Sequence, residues 1–225
     1  QRLTDLLSRN TLPTNILIFI AVIFVAGVSY ASWLRYATYS AYAFDFGIME
    51  QSLWNTLHGR GFFYNTIEGT SHFRVHISLN MFAVLLIYAL FPSPITLIII
   101  QSIAVAATGI PLYYLAREQI ESPYSEIVVG LFYINPVVWA MSLNGWHPVV
   151  LSIPFTAAAV VAVVQDRPKL FAITALLALT GKETVAIPIG LLSLYYIHTH
   201  IDSLDTIANN WSQKPAIKIA FFVGL

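Results

Sequence analysis

Most of the side chains that could do chemistry lie in residues 42–76, between two long apolar runs. Three of the six histidines and five charged residues fall in this stretch: His58, His72, His76, Asp45, Glu50, Arg60, Glu68 and Arg74. Ionisable groups are costly beside lipid, and in an apolar chain they mark functional sites by default. We therefore expect a site in this stretch.

Asp45 has a side chain suited to acid–base chemistry. A carboxylate at the membrane face can take a proton from an acceptor hydroxyl or bind a divalent ion. Aspartate is also a common N-cap, because its oxygen accepts hydrogen bonds from the first free N–H groups of a helix. The residues alone leave both interpretations open.

His72 and His76 are four residues apart, so on an α-helix they share one face. Two imidazoles at that spacing can bind a metal, with Asp45 or His147 completing the set. Arg74, between them, is suited to a phosphate through its planar bidentate fork. The alternative for Arg74 is a side chain that snorkels to the lipid headgroups.

Two further polar breaks interrupt apolar runs. His147 lies in a Gly-Trp-His-Pro break that either lines a cavity or is only a loop. Lys182 and Glu183 interrupt the apolar residues 170–197. Neighbouring helical residues point in different directions, so each charge should meet its own partner, for instance a phosphate for Lys182 and Arg74 for Glu183. The alternative is a tight interfacial turn between two short spans.

The composition predicts the class of protein that must position these residues. Of 225 residues, 57% are hydrophobic and 10% charged, against roughly 25% charged in soluble domains. Residues 15–34 and 95–116 are apolar runs of spanning length. We predict an all-α fold, a polytopic transmembrane helical bundle. Zero net charge argues against a nucleic-acid partner, and the absence of cysteine excludes disulfides and thiolate sites.

The number of crossings stays open at this stage. The run 77–91 is short for a span, and 126–143 is interrupted by Asn135-Pro136. If every run crossed, the loop at Arg117 and the break at His147 would lie on opposite sides. Arginines before the first run favour an inside N-terminus, which places the first loop, residues 35–76, outside the cytoplasmic membrane. We expect residues 1–225 to form one transmembrane domain, the front part of a longer chain, because the sequence ends inside an apolar run.

Within the first loop, residues 45–58 have the pattern of an amphipathic juxtamembrane helix. The apolar side chains at helical spacing are Phe46, Met49, Leu53, Trp54 and Leu57. The polar residues that face elsewhere are Glu50, Gln51, Asn55 and His58. Such a helix is expected to lie in the headgroup region, with membrane lipids as its partners.

Several motifs together resemble a known family. They are DFGIMEQSLWNTLHGRGFF, HFRVH, LFPSPITLIIIQSIAVAATGIPLYYLAR, the Trp-His-Pro break and LLALTGKETVAI, in that order. Across roughly residues 35–197 the chain resembles a family of polytopic membrane proteins of unknown function, found mainly in archaea and some bacteria. That family is grouped with the GT-C glycosyltransferases, which take sugar from a polyprenyl-phosphate donor at the outer membrane face.

The resemblance implies a GT-C-like bundle and a role for each candidate residue. Asp45 takes the place of the acidic residue that serves as catalytic base or metal-linked acid, and Lys182 that of a donor-phosphate lysine. Arg74 is a second expected phosphate contact, although the family usually has a small residue or proline near this position. The expected cavity-lining residues are Glu50, His72, His76, His147 and Glu183. The metal candidates are Asp45, His72, His76 and His147.

The expected partners are membrane lipids, the polyprenyl-phosphate sugar donor and other membrane proteins. Two other functions remain open from the sequence. One is a non-catalytic membrane subunit of a larger complex, and the other is a lipid or solute transporter whose buried charges line a path.

Overall fold

The computed structural model describes residues 11–41 and 43–200, which are mostly helical. The α-helices of this part are α1 Thr11–Ala37, α2 Ala43–Leu57, α3 Met81–Leu90, α4 Pro94–Ala107, α5 Gly109–Gln119, α6 Tyr124–Ile134, α7 Pro136–Leu143, α8 Ile153–Val164, α9 Pro168–Leu179 and α10 Ala186–His200. Short 3₁₀ turns are formed by His72–Arg74, Pro148–Ser152 and Glu183–Val185. One antiparallel hairpin, β1 Tyr64–Asn65 with β2 Thr70–Ser71, departs from the all-α expectation.

Two helical segments are long and apolar enough to cross a membrane, Asn15–Ala37 and Pro94–Gln119. The pair α6 and α7, bent by 43° at Asn135, gives a third candidate span in the described part of the chain. Only 11% of the apolar window of the first span is buried in the protein, against 56% for the second. The second span is therefore central, and the first presents most of its apolar surface outward, where lipid solvates it.

Local sequence signals fix where the central helices begin. Ser93 accepts a hydrogen bond from the N–H of Ile95, and Pro94 occupies the first turn of α4. Asn135 caps α7 in the same way, with Pro136 behind it. A polar cap followed by proline is the usual start of a helix, since the first turn has no use for the missing N–H.

The polar connections gather at one end of the bundle, which we call the site end. Asn80 joins two of them, because its N–H donates to Thr180 O at 2.9 Å and its Nδ2 donates to Pro148 O at 2.8 Å. Arg35, at the end of α1, lines one cavity with Gly145, which follows α7. At the opposite end, Gln165 Nε2 donates to Glu118 Oε1 at 2.7 Å. The long helices therefore run between two distinct ends.

Helix α3 does not cross the bundle. It has ten residues, about 15 Å of helix, whereas the hydrocarbon core is about 30 Å thick. Asn80 holds its start at the site end, and Pro94, just beyond its other end, lines a hollow with Tyr36 and Glu50. Residues 77–91, which the sequence marked as short for a span, therefore form a short helix and not a crossing. His147 lies at the same end as the first loop.

Helix α2 forms as expected, but protein covers its apolar face. Phe46, Met49 and Leu53 are buried in a core cluster with Tyr88 and Trp146. Asn55, expected on the polar face, is 7% exposed and donates to Tyr64 O at 2.9 Å. A helix lying freely in the headgroups is therefore not observed, because α3 and the hairpin pack on it. Arg35 also belongs to α1, so the first loop begins later than expected.

Candidate functional site

A buried glutamine shapes the loop that presents His147. Gln101, in α4, is 4% exposed. Its Nε2 donates to Ser142 O at 2.9 Å and to Gly145 O at 2.6 Å, and its Oε1 accepts from His147 N at 3.2 Å. One amide thus satisfies three backbone groups that the end of α7 leaves unpaired. Sequence reasoning assigned Gln101 no role, although an amide inside an apolar run was the available signal.

Asp45 and His147 face each other at the site end. Asp45 Oδ2 lies 3.9 Å from His147 Nε2, and their side chains are 43% and 33% exposed. Gly145, with φ of +82°, lies beside both: a Cβ there would be 3.9 Å from Asp45 Cβ and 4.0 Å from His147 Nε2. The result is a solvent-accessible carboxylate next to an imidazole, which can accept a proton.

The N-cap interpretation of Asp45 is wrong by position. Helix α2 begins at Ala43, so Asp45 lies inside its first turn rather than before it. A negative charge in the first turn is still favourable, because the N-terminal N–H groups carry partial positive charge. Asp45 therefore stabilises α2 without using its carboxylate as a cap.

Close packing brings the Lys182 turn against the turn that follows His147. At Gly181, a Cβ would collide with Ser152 Oγ and lie 3.3 Å from Pro148 O. Ser152 Oγ in turn donates to Ala178 O at 2.7 Å. Lys182 is the residue after Gly181. Its backbone is extended and its side chain is half-buried. No carboxylate of the described residues lies within ion-pair distance of its ammonium.

Glu183 pairs with His76, not with Arg74 as expected. His76 Nδ1 lies 2.7 Å from Glu183 Oε1, and Ile77 N donates to Oε2 at 3.2 Å. Burial alone would raise the pKa of Glu183, but hydrogen bonds from its own N–H, from His76 and from Ile77 hold that pKa below its usual value. Lys182 and Glu183 lie in a turn between α9 and α10, as the simpler of the two interpretations predicts, while a phosphate partner for Lys182 stays a prediction.

His72 lies in the interior of the protein. It is 1% exposed, and its Nδ1 is 3.1 Å from Glu68 Oε1. Asn65 orients Glu68 by donating from Nδ2 to Oε2 at 2.7 Å. Burial lowers the pKa of His72, an effect that Glu68 partly offsets. His72 and His76 still meet, with ring centroids 5.6 Å apart, although the segment is a 3₁₀ turn rather than an α-helix.

Arg74 and Glu50 lie apart from these residues. Arg74 is exposed and lines a hollow of the hairpin with Gly69 and Ser71. Glu50 accepts a 2.7 Å hydrogen bond from Tyr88 OH and lines a separate hollow with Tyr36. A phosphate contact shared by Arg74 and Lys182 stays a prediction.

Five candidate residues lie in or beside turns that Asn80 and the Gly181–Ser152 contact hold together at the site end. We call them the polar cluster: Asp45, His76, His147, Lys182 and Glu183. Within residues 11–41 and 43–200, no three histidine, aspartate or glutamate side chains are close enough to share a metal ion. The four expected metal candidates therefore do not form one ligand set. The cluster instead combines an accessible carboxylate, two imidazoles and the Lys182 ammonium, which has no ion-pair partner among the described residues.

Comparison with known proteins gives one match. Neither the curated proteins nor the solved structures contain a match to this chain. Residues 35–225 match the model of a family described as "Predicted membrane protein (DUF2079)". This range includes the whole polar cluster and begins at the end of α1. The chain therefore belongs to this family of predicted membrane proteins.

Proposed function

We propose that this protein is a membrane glycosyltransferase with a GT-C-like bundle. In this proposal it moves a sugar from a polyprenyl-phosphate donor to an acceptor hydroxyl at the outer face of the cytoplasmic membrane. The observation that supports the proposal is the pairing of Asp45 with His147 at the same end as the unpaired Lys182. Base and cation are the two groups that such a transfer needs.

The polar cluster offers each group a role. The Asp45 carboxylate takes the proton of the acceptor hydroxyl while the oxygen attacks the anomeric carbon. The bond between that carbon and the donor's phosphate oxygen breaks, and the electron pair leaves with the polyprenyl phosphate. Lys182 neutralises the charge that develops on the phosphate. His147 lies beside Asp45 and keeps the acceptor hydroxyl within reach of the carboxylate.

Apolar surroundings supply the remaining requirement. The donor's lipid tail must stay in hydrocarbon while its head reaches the polar cluster. The exposed apolar side chains of α1 and the short helix α3 border the site end, so lipid can approach it from the side. A transporter path is not favoured by this arrangement, because the charges of the cluster gather at one end rather than along the bundle.

The test is transfer from a labelled polyprenyl-phosphate sugar by the purified chain. Asp45→Asn keeps the shape of the side chain and removes the base, so kcat should fall by about 100-fold or more, with little change in KM. Glu121→Gln, which removes an exposed carboxylate at the opposite end, should leave transfer unchanged. Full transfer by Asp45→Asn would refute the base role of Asp45. No transfer by the wild-type chain would refute the proposal and favour the non-catalytic subunit or the transporter.

A further inference from the structure

Two buried N–H groups without acceptors line one small cavity at the site end. Arg35 Nε and Trp146 Nε1 are both inaccessible to solvent and have no partner among the described residues. Both side chains line a cavity of about 20 Å³. A volume of that size holds one oxygen atom, since a water molecule needs at least about 10–15 Å³.

The chemistry of the two groups restricts what can fill the cavity. Indole and guanidinium nitrogens only donate hydrogen bonds, so the occupant must be an acceptor. Arg35 is also permanently charged, and no described carboxylate lies within ion-pair distance of it. Arg35 is half-buried, and hydrogen bonds between charged groups are stronger than those between neutral ones, so an anionic oxygen fits its donor better than a neutral one. Gln101 also lines the cavity, but its amide is already engaged by the backbone of the His147 loop.

The cavity lies next to the polar cluster on one side. Gly145 forms part of its wall, and Gly145 is also the residue that lies beside Asp45 and His147. On another side the cavity shares Tyr36 and Phe46 with a hollow of about 410 Å³. The hollow is therefore the neighbouring space that the rest of a ligand would occupy if one of its oxygens filled the cavity.

We propose that Arg35 and Trp146 bind one phosphoryl oxygen of a phosphate ester whose remainder occupies the adjoining hollow. The proposal gives this contact to Arg35 in place of Arg74, whose side chain is exposed in the 3₁₀ turn His72–Arg74. The inference rests on the proposed function only for the identity of the ester, a polyprenyl phosphate. Free phosphate offers the same oxygen, so the experiment uses both.

The test measures binding to the whole chain in lipid nanodiscs, with inorganic phosphate and polyprenyl phosphate as the two probes. Arg35→Gln removes the charge and should weaken polyprenyl phosphate binding by about 10- to 100-fold, the range for a charge-assisted hydrogen bond. Trp146→Phe removes one neutral N–H and should weaken binding by about 2- to 10-fold. Arg74→Gln loses the same charge at an exposed position and should bind as the wild type does.

The outcomes separate this inference from the proposed function. Weakened binding of both probes by Arg35→Gln supports a site for the phosphate itself, and weakened binding of the lipid probe alone supports a site that also needs the tail. Wild-type binding of polyprenyl phosphate by both Arg35→Gln and Trp146→Phe would overturn the inference. If the wild-type chain shows no transfer while Arg35→Gln loses binding, the proposed function fails and the phosphate site remains. The reverse pattern leaves the function and removes the site.

Discussion

Replacing Gly181 by alanine tests the contact that holds the Lys182 turn against the turn after His147. The new Cβ would collide with Ser152 Oγ and would lie 3.1 Å from Ser152 Cβ and 3.3 Å from Pro148 O. The backbone oxygen cannot rotate away, so the two turns must separate. Forcing extra atoms into a packed site costs about 1–3 kcal/mol. Loss of the 2.7 Å Ser152–Ala178 hydrogen bond adds about 1 kcal/mol.

The assay for Gly181→Ala is the thermal midpoint of the purified chain in detergent, combined with a double-mutant comparison. The midpoint should fall by about 2–4 °C for each kcal/mol lost. Ser152→Ala removes the oxygen with which the new Cβ would collide. In that background Gly181→Ala should therefore lower the midpoint less, and the difference between the two backgrounds measures the coupling between residues 152 and 181. Gly130→Ala is the matched control, because nothing lies within 4 Å of its Cβ position. Equal effects of Gly181→Ala in both backgrounds would refute the packing described here.

Two further predictions concern buried polar groups. Gln101→Leu leaves the His147 N–H and two carbonyls unpaired, so the free energy of unfolding should fall by about 2–4 kcal/mol. Thermal unfolding checks this against Gln165→Leu, which loses one exposed hydrogen bond and should change little. Because the pKa of His72 is below its ordinary value of 6.5 in the fold, the unfolded chain binds this proton first as the pH falls. The stabilising contribution of the neutral His72 side chain is therefore complete above about pH 6.5 and is lost as the pH falls below that value. Midpoints from pH 7.5 to 5.5 should show this loss in the wild type and less of it in His72→Gln, whereas equal slopes would contradict the assignment.

The sequence predicted the spans well, because spanning length and the absence of charge can be read locally. Residues 15–34 and 95–116 both fall within spanning helical segments. The run 77–91 could not be placed in the same way. An apolar segment of 10–14 residues fits a buried helix as well as part of a span, and the contacts of Asn80 with distant residues decide between them.

Partners of the candidate residues were harder to predict than their positions. Asp45, His147 and Lys182 were chosen from residue type and context, and the structure brings all three to one end of the bundle. The pairing of Glu183 with His76 joins residues 107 positions apart, which no local pattern encodes. The helical spacing assumed for the segment containing Arg74 was wrong, because a 3₁₀ turn has three rather than 3.6 residues per turn.

The cavity lined by Arg35 and Trp146 could not be predicted from the sequence. Arg35 follows the first apolar run, where an arginine is expected to reach the headgroups. Trp146 reads as part of a polar loop, yet it is 1% exposed. Only the fold shows that both N–H groups are buried beside one cavity and have no acceptor among the described residues. A missing partner is a property of three-dimensional packing, so the sequence carries no direct signal of it.

The central claim is that the polar connections between the helices lie at one end of the bundle. Labelling of single introduced cysteines in sealed vesicles is its most direct test. The chain has no cysteine of its own, so Tyr39→Cys, Asn144→Cys, Thr184→Cys and Glu121→Cys, all at exposed positions, each introduce one thiol. With a membrane-impermeant reagent, positions 39, 144 and 184 should label from the same side of the membrane and position 121 from the other. Labelling of positions 39 and 184 from opposite sides would contradict the shared site.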